Sequence, residues 1–108
     1  MAENTEYKNP SQSTITEWKK KHKDVYAIEV KADNGEILKA YMRSPGLRDM
    51  QIAAASEKKK AGTYTQSIFE NCKLEAHPEI ISNDKYLISA LGEIEQIVEL
   101  APVEVKKL

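Results

Sequence analysis

Apolar and polar residues alternate between residues 25 and 43, with the interruption "DNG" in the middle. A period of two is typical of a strand with one buried side, and the interruption predicts a β-hairpin in which Gly35 forms a bulge. This three-residue loop pairs Glu29 with Lys39, giving one apolar side and a cross-strand ion pair on the other. A two-residue loop would set Val30 against Lys39, so the first register is preferred.

Apolar residues recur at helical spacing in three later segments, at about 45–60, 64–74 and 83–100. A short additional helix is predicted from Thr14, because "TITE" has the form of a capping box. The pattern therefore predicts an α+β fold with a short N-terminal helix, one β-hairpin at about 25–43, and then three helices.

The length of 108 residues corresponds to one domain. Residues 1–13 have almost nothing to bury and predict a disordered N-terminal arm. The single α+β domain is expected over residues 14–101, and residues 102–108 are expected to form a frayed C-terminal tail. A lone hairpin is marginal in water, so its apolar face must pack on the helices or its edge must pair with another chain.

Charge changes this picture little, since 16 basic residues stand against 17 acidic ones. A nucleic-acid partner is therefore not expected from the net charge. One basic patch remains as an alternative, formed by Trp18, Lys19, Lys20, Lys21 and Lys23. It is interpreted as a solvated helix face, because no second aromatic residue is interleaved with the lysines.

Candidate chemistry is sparse. No phosphate-binding glycine loop, metal-ligand cluster or nucleophile motif is found, so no catalytic residue, cofactor or metal is predicted. Arg43 and Pro45 stand where the hairpin meets the next helix, which suggests a corner held by the arginine. Cys72 falls on an apolar helix stripe and is interpreted as a buried thiol. Without a signal peptide or an apolar span, the expected location is the cytoplasm, with no membrane partner.

The order of these elements resembles that of the tail assembly chaperones of long-tailed bacteriophages and prophages. The resemblance covers about residues 18–100 and rests on "YMRSP" at the end of the hairpin, "FENCKL" at the end of a helix, and "PEIISNDKYLISALGEIEQIVEL". The loop at residues 73–78 departs from that family's pattern, in which an aromatic residue and glycines would follow the cysteine.

The resemblance implies a non-catalytic protein of the bacterial host cytoplasm that binds and shields the tape measure protein during tail assembly. The partner-binding candidates are Leu47, Met50, Ala54, Leu91 and Ile94, taken from the apolar stripes of two helices. Self-association through the hairpin edge or a helix face is a further expectation. The competing functions are a small nucleic-acid-binding regulator and a structural component of the tail or capsid.

Overall fold

The computed structural model describes residues 7–98 and 103–108 of the chain. Within these residues the fold is α+β, with five helices and a sheet of three antiparallel strands. The elements in chain order are α1 (Gln12–Lys21), β1 (Val25–Lys31), β2 (Ile37–Arg43), α2 (Leu47–Lys59), α3 (Tyr64–Cys72), β3 (Lys73–Ala76), α4 (Pro78–Ser82) and α5 (Asp84–Ile97).

The hairpin of β1 and β2 has the predicted register, with Glu29 opposite Lys39. The amide of Ala32 donates to the carbonyl of Glu36, and Gly35 has a φ of 92°, as a glycine bulge requires. The Glu29 and Lys39 side chains lie 3.8 Å apart, so the expected ion pair is present. Turn chemistry and alternation were therefore sufficient to predict this register.

A third strand corrects the prediction of a hairpin followed only by helices. β3 pairs with β2 in antiparallel fashion, and the order of the sheet is β1-β2-β3. The helix predicted to reach residue 74 ends at Cys72, because Lys73 has extended backbone angles. The segment at residues 73–78, which departs from the chaperone pattern, thus contains the third strand of the sheet. The hairpin therefore relies less on the helices for its stability.

The core lies between one face of the sheet and helices α3, α4 and α5, which all contact it. Its fully buried members include Leu38, Met42, Phe69, Ile80 and Ile94. Helix α2 packs chiefly on α3. The opposite face of the sheet is covered in part by α1, because the ring of Trp18 lies 5.7 Å from that of Tyr41.

Two predicted helix starts are wrong by two or three residues. Helix α1 begins at Gln12, not Thr14, because the Ser11 hydroxyl accepts a hydrogen bond from the Thr14 amide. Helix α2 begins after Gly46, not at Pro45. The Asp49 carboxylate accepts the Gly46 amide, so its side chain caps the start of α2.

His77 and Pro78 do not lie in a loop, as predicted, because they form the start of α4. The Nδ1 atom of His77 accepts the Glu79 amide at 3.1 Å, and Pro78 is the first helical residue. The last predicted helix, 83–100, corresponds to α5, whereas residues 99 and 100 lie outside the described residues. Gly92 on α5 is exposed, and no atom of another element lies near the position of an added Cβ.

The predicted arm and tail are described in part, since residues 1–6 and 99–102 lie outside the described residues. Tyr7 donates its hydroxyl to Glu75 at 2.8 Å, and its ring lies 4.8 Å from that of His77. Residues 103–108 have neither helix nor strand and are exposed. In the described parts of the chain, every helix is too short or too polar to cross a membrane.

Candidate partner-binding surface

Arg43 joins three parts of the chain where β2 turns into α2. Its Nη1 atom donates to Asp49 Oδ2 at 2.7 Å, and its Nη2 atom donates to Oδ1 at 3.1 Å. Nη2 also donates to the carbonyl of Asn71 at the end of α3. A guanidinium group used in this bidentate way fixes direction as well as distance. Arg43 therefore aligns α2 with α3.

Asp49 is the acceptor at the centre of this corner and is only 9% exposed. Its carboxylate receives the two bonds from Arg43 and a third from the Gly46 amide at 2.8 Å. The hydrogen bonds from Arg43 are the main reason that the pKa of Asp49 is lowered to about 2, against the opposing effect of burial. Arg43 and Asp49 use their hydrogen-bonding groups on each other and on the backbone. This ion pair is therefore a structural element of the corner.

The other end of α2 is held by Glu57, whose role the sequence did not indicate. One of its carboxylate oxygens accepts the amides of Thr63 and Tyr64, and the other accepts the amide of Gly62. These hydrogen bonds lower the pKa of Glu57. A carboxylate that satisfies the first amides of a helix also favours the positive end of its dipole. Both ends of α2 are thus fixed relative to α3.

Helix α2 buries one narrow side and exposes an apolar stripe. Asp49 and Ala53 are its only buried residues. Leu47, Met50 and Ala54 lie on another side at helical spacing. Leu47 is 72% exposed, Ala54 is exposed, and Met50 is half-buried against the core. All three residues predicted on this helix therefore lie at or near the surface.

Two clefts lie between the ends of α2 and the C-terminal end of α5, and of the three stripe residues Met50 alone lines one of them. Near the start of α2, a cleft of about 240 Å³ is lined by Met50, Tyr26 and Ile97, among others. Near the end of α2, a cleft of about 530 Å³ is lined by Tyr64, Glu57 and Glu95, among others. Val98 lines both clefts, so they adjoin at that residue and are considered together. We call this surface the α2 groove.

The two candidates on α5 do not belong to this exposed stripe. Ile94 is fully buried, and Leu91 is half-buried against the core cluster. Ile88 is instead the exposed large apolar residue of this helix, at 68%. The buried residues of α5 are Tyr86, Ala90 and Ile94, spaced four apart, so the helical periodicity itself places Ile94 on the buried side.

The basic patch of α1 is arranged as a solvated helix face. Helix α1 has no buried residue, and Lys20 lies 3.7 Å from Glu17 of the same helix. Trp18 packs against Tyr41 and so docks the helix on the sheet. A base-stacking role would require the indole to leave this contact.

Reactive chemistry is limited in the described residues. Cys72 is fully buried, and burial raises the pKa of its thiol to about 11. No cluster of three or more His, Cys, Asp or Glu residues within residues 7–98 and 103–108 could hold a metal ion. The α2 groove is therefore the most distinctive feature of this surface.

Comparison of the chain with protein-family models, with curated proteins and with solved structures found no match. The function of the α2 groove is therefore inferred from its position, from its charge and from the exposed apolar residues of α2.

Proposed function

We propose that this protein is a non-catalytic tail assembly chaperone that binds the tape measure protein and shields it before the tail tube assembles. The observation that carries the proposal is the α2 groove, beside which Leu47 is 72% exposed. The resemblance of the chain to tail assembly chaperones supports the same partner. The protein acts in the cytoplasm of a bacterial host under this proposal.

The dimensions of the groove suit one amphipathic helix. Helix α2 has 13 residues, which correspond to about 20 Å or nearly four turns. An apolar helical stripe from a partner can lie against Met50, Tyr64 and Val98, as in other complexes that seat a helix in a groove. Tape measure proteins are long and rich in helices, so they offer such stripes in quantity.

The charge of the groove selects among such helices. Glu57 and Glu95 line its larger cleft, and Asp24 lines the smaller one together with Lys23. An apolar stripe flanked by lysine or arginine is therefore the best-matched partner, whereas an acidic helix would be repelled.

The test is co-expression with the tape measure protein encoded nearby, followed by size-exclusion chromatography with light scattering. The wild-type protein should co-elute with it, and the complex should survive high salt because its contacts are apolar. Leu47→Glu and Ala54→Glu should each weaken binding at least about tenfold, by placing a charge in an apolar contact. Ile88→Glu is the matched control, since Ile88 is nearly as exposed as Leu47 but lies on α5 and not on the apolar stripe of α2.

Equal binding by Leu47→Glu, Ala54→Glu and the wild type would refute the use of this groove. Affinity for nucleic acid that falls steeply between low and physiological salt would favour the nucleic-acid-binding alternative, with Trp18, Lys19, Lys20, Lys21 and Lys23 as its contacts. A ring or long polymer formed by the chain alone would favour the structural tail or capsid component.

A further inference from the structure

The edge of the sheet at β1 is open along the whole strand. In the described residues β1 pairs only with β2. The backbone groups of Asp24 and Ala32 bond towards β2. Because backbone direction alternates along a strand, the amides and carbonyls of Ala27, Glu29 and Lys31 face away from β2. Such an edge is a template for another strand.

The C-terminal segment, residues 103–108, has the pattern of a strand. It reads "VEVKKL", and its first four residues nearly repeat "IEVK" at positions 28–31 of β1. Val103 and Val105 are 85% and 91% exposed. Two exposed valines that alternate with charged residues suit a strand with one face to bury.

One antiparallel register matches the charges of this segment to those of β1. With Val105 opposite Val30, Glu104 lies opposite Lys31 and Lys106 lies opposite Glu29. A shift by two residues in either direction brings two glutamates or two lysines together. Both valines then face the side of the sheet that carries the core, and the charged pairs lie on the other side.

The surroundings of β1 suit the last two residues of the segment. Lys107 falls opposite Ile28 on the α5 side, where Glu93 lines a cleft of about 260 Å³. Leu108 falls opposite Ala27 on the α1 side, where Ile15 and Tyr41 line a cleft of about 280 Å³. The same register thus offers a third opposite charge and an apolar site.

The chain's own segment cannot reach this position. Helix α5 starts beside the hairpin turn, where Lys85 contacts Asp33 at 2.7 Å, and it ends near Tyr26, which shares a cleft with Val98. The segment would have to begin beside Ala32, about 20 Å further along β1. The five steps from Val98 to Val103 span at most about 18 Å, and the chain must also reverse.

We propose that two copies of this chain exchange their C-terminal segments, each adding residues 103–108 as an antiparallel strand to the β1 edge of the other. A two-fold axis between the two segments gives a continuous antiparallel sheet. In that arrangement the Tyr26 end of one β1 lies about 14 Å, or three strand spacings, from the Ala32 end of the other. The connection from Val98 spans that distance.

The proposed exchange of C-terminal segments is tested on the full chain by light scattering and sedimentation across a range of protein concentrations. A dimer is expected. Lys31→Glu and Glu104→Lys each create like-charge pairs in both halves and should weaken the dimer about tenfold. The double variant restores opposite charges and should return its affinity to within about twofold of the wild type. Glu70→Lys on α3 is the control for a change of charge away from the edge.

Hydrogen exchange identifies the interface independently. The backbone amides of Ala27, Glu29 and Lys31 should exchange more slowly as the dimer forms. A monomer at every concentration overturns the proposal. A dimer whose affinity the double variant does not restore also overturns it. None of these outcomes depends on the tape measure protein, so the dimer and the proposed chaperone function can fail separately.

Discussion

Replacing Asp49 by asparagine tests whether the corner between β2 and α2 holds the fold. The substitution keeps the size of the side chain and one acceptor for the Gly46 amide, but it removes the negative charge that faces Arg43. Since Asp49 is only 9% exposed, solvent cannot replace the lost interaction well. We therefore expect Asp49→Asn to be clearly destabilising at neutral pH.

The magnitude follows from the pKa of Asp49, which is lowered from 3.8 to about 2 in the folded protein. One pKa unit corresponds to about 1.4 kcal/mol, so the carboxylate contributes about 2 kcal/mol to the free energy of unfolding. Because the folded-state pKa is the lower one, this contribution is present above the pKa of the unfolded chain. It is lost as the pH falls from about 5 towards 2.

Urea unfolding of the wild type and of Asp49→Asn at neutral pH, at one fixed protein concentration, measures this difference. Asp33→Asn is the matched control, because Asp33 also contacts a basic group at 2.7 Å but the two side chains are 73% and 67% exposed. The control should lose no more than about 1 kcal/mol. Equal losses in the two variants, or an unchanged acid dependence in Asp49→Asn, would refute the argument from burial.

Three further predictions concern glycine and cysteine. Gly62→Ala should lower the free energy of unfolding by about 1 kcal/mol, because Gly62 has a φ of 86°. Gly92→Ala should raise the free energy of unfolding by a similar amount, because Gly92 lies at an exposed position inside helix α5, where alanine is the better helix former. Urea unfolding measures both, and equal signs would contradict the backbone argument. Cys72 should resist iodoacetamide in the native protein at neutral pH and react only on unfolding. The reason is that its thiol is buried and has a pKa of about 11. Labelling of the native protein at the rate of a free thiol would contradict this.

The sequence was most informative where local chemistry determines the structure. The register of the hairpin followed from the alternation and from one glycine, because a slip by one residue would have turned the apolar side outwards. By contrast, β3 is only four residues long, and so short an alternation does not distinguish a strand from the end of a helix. It is a strand because β2 offers it hydrogen bonds, and tertiary pairing of this kind leaves little local signal.

The same contrast between local sequence signals and tertiary packing applies to the site residues. Leu47 and Ala54 are exposed because the apolar stripe of α2 is wider than its buried side, and the sequence alone did not indicate which part of the stripe would be exposed. Glu57 was missed because its three bonds connect the end of one helix to the start of the next, and nothing in a single helix pattern indicates this. Ile94 and Ile88 lie on one helix, and their opposite burial depends on where α3 and the sheet pack.

The two proposed interfaces depend on different forces, so salt should separate them. The register of the exchanged strand is determined by exposed ion pairs between Glu104 and Lys31 and between Lys106 and Glu29. Because dissolved salt screens exposed ion pairs, the dimer should weaken as sodium chloride rises from about 0.05 to about 0.5 M. Binding in the α2 groove buries apolar surface and should change little over the same range. Sedimentation of the chain alone and with the tape measure protein, at both salt concentrations, measures the two responses. A dimer whose affinity does not depend on salt would contradict the charge-matched register. A complex with the tape measure protein that dissociates as salt rises would contradict apolar binding in the α2 groove.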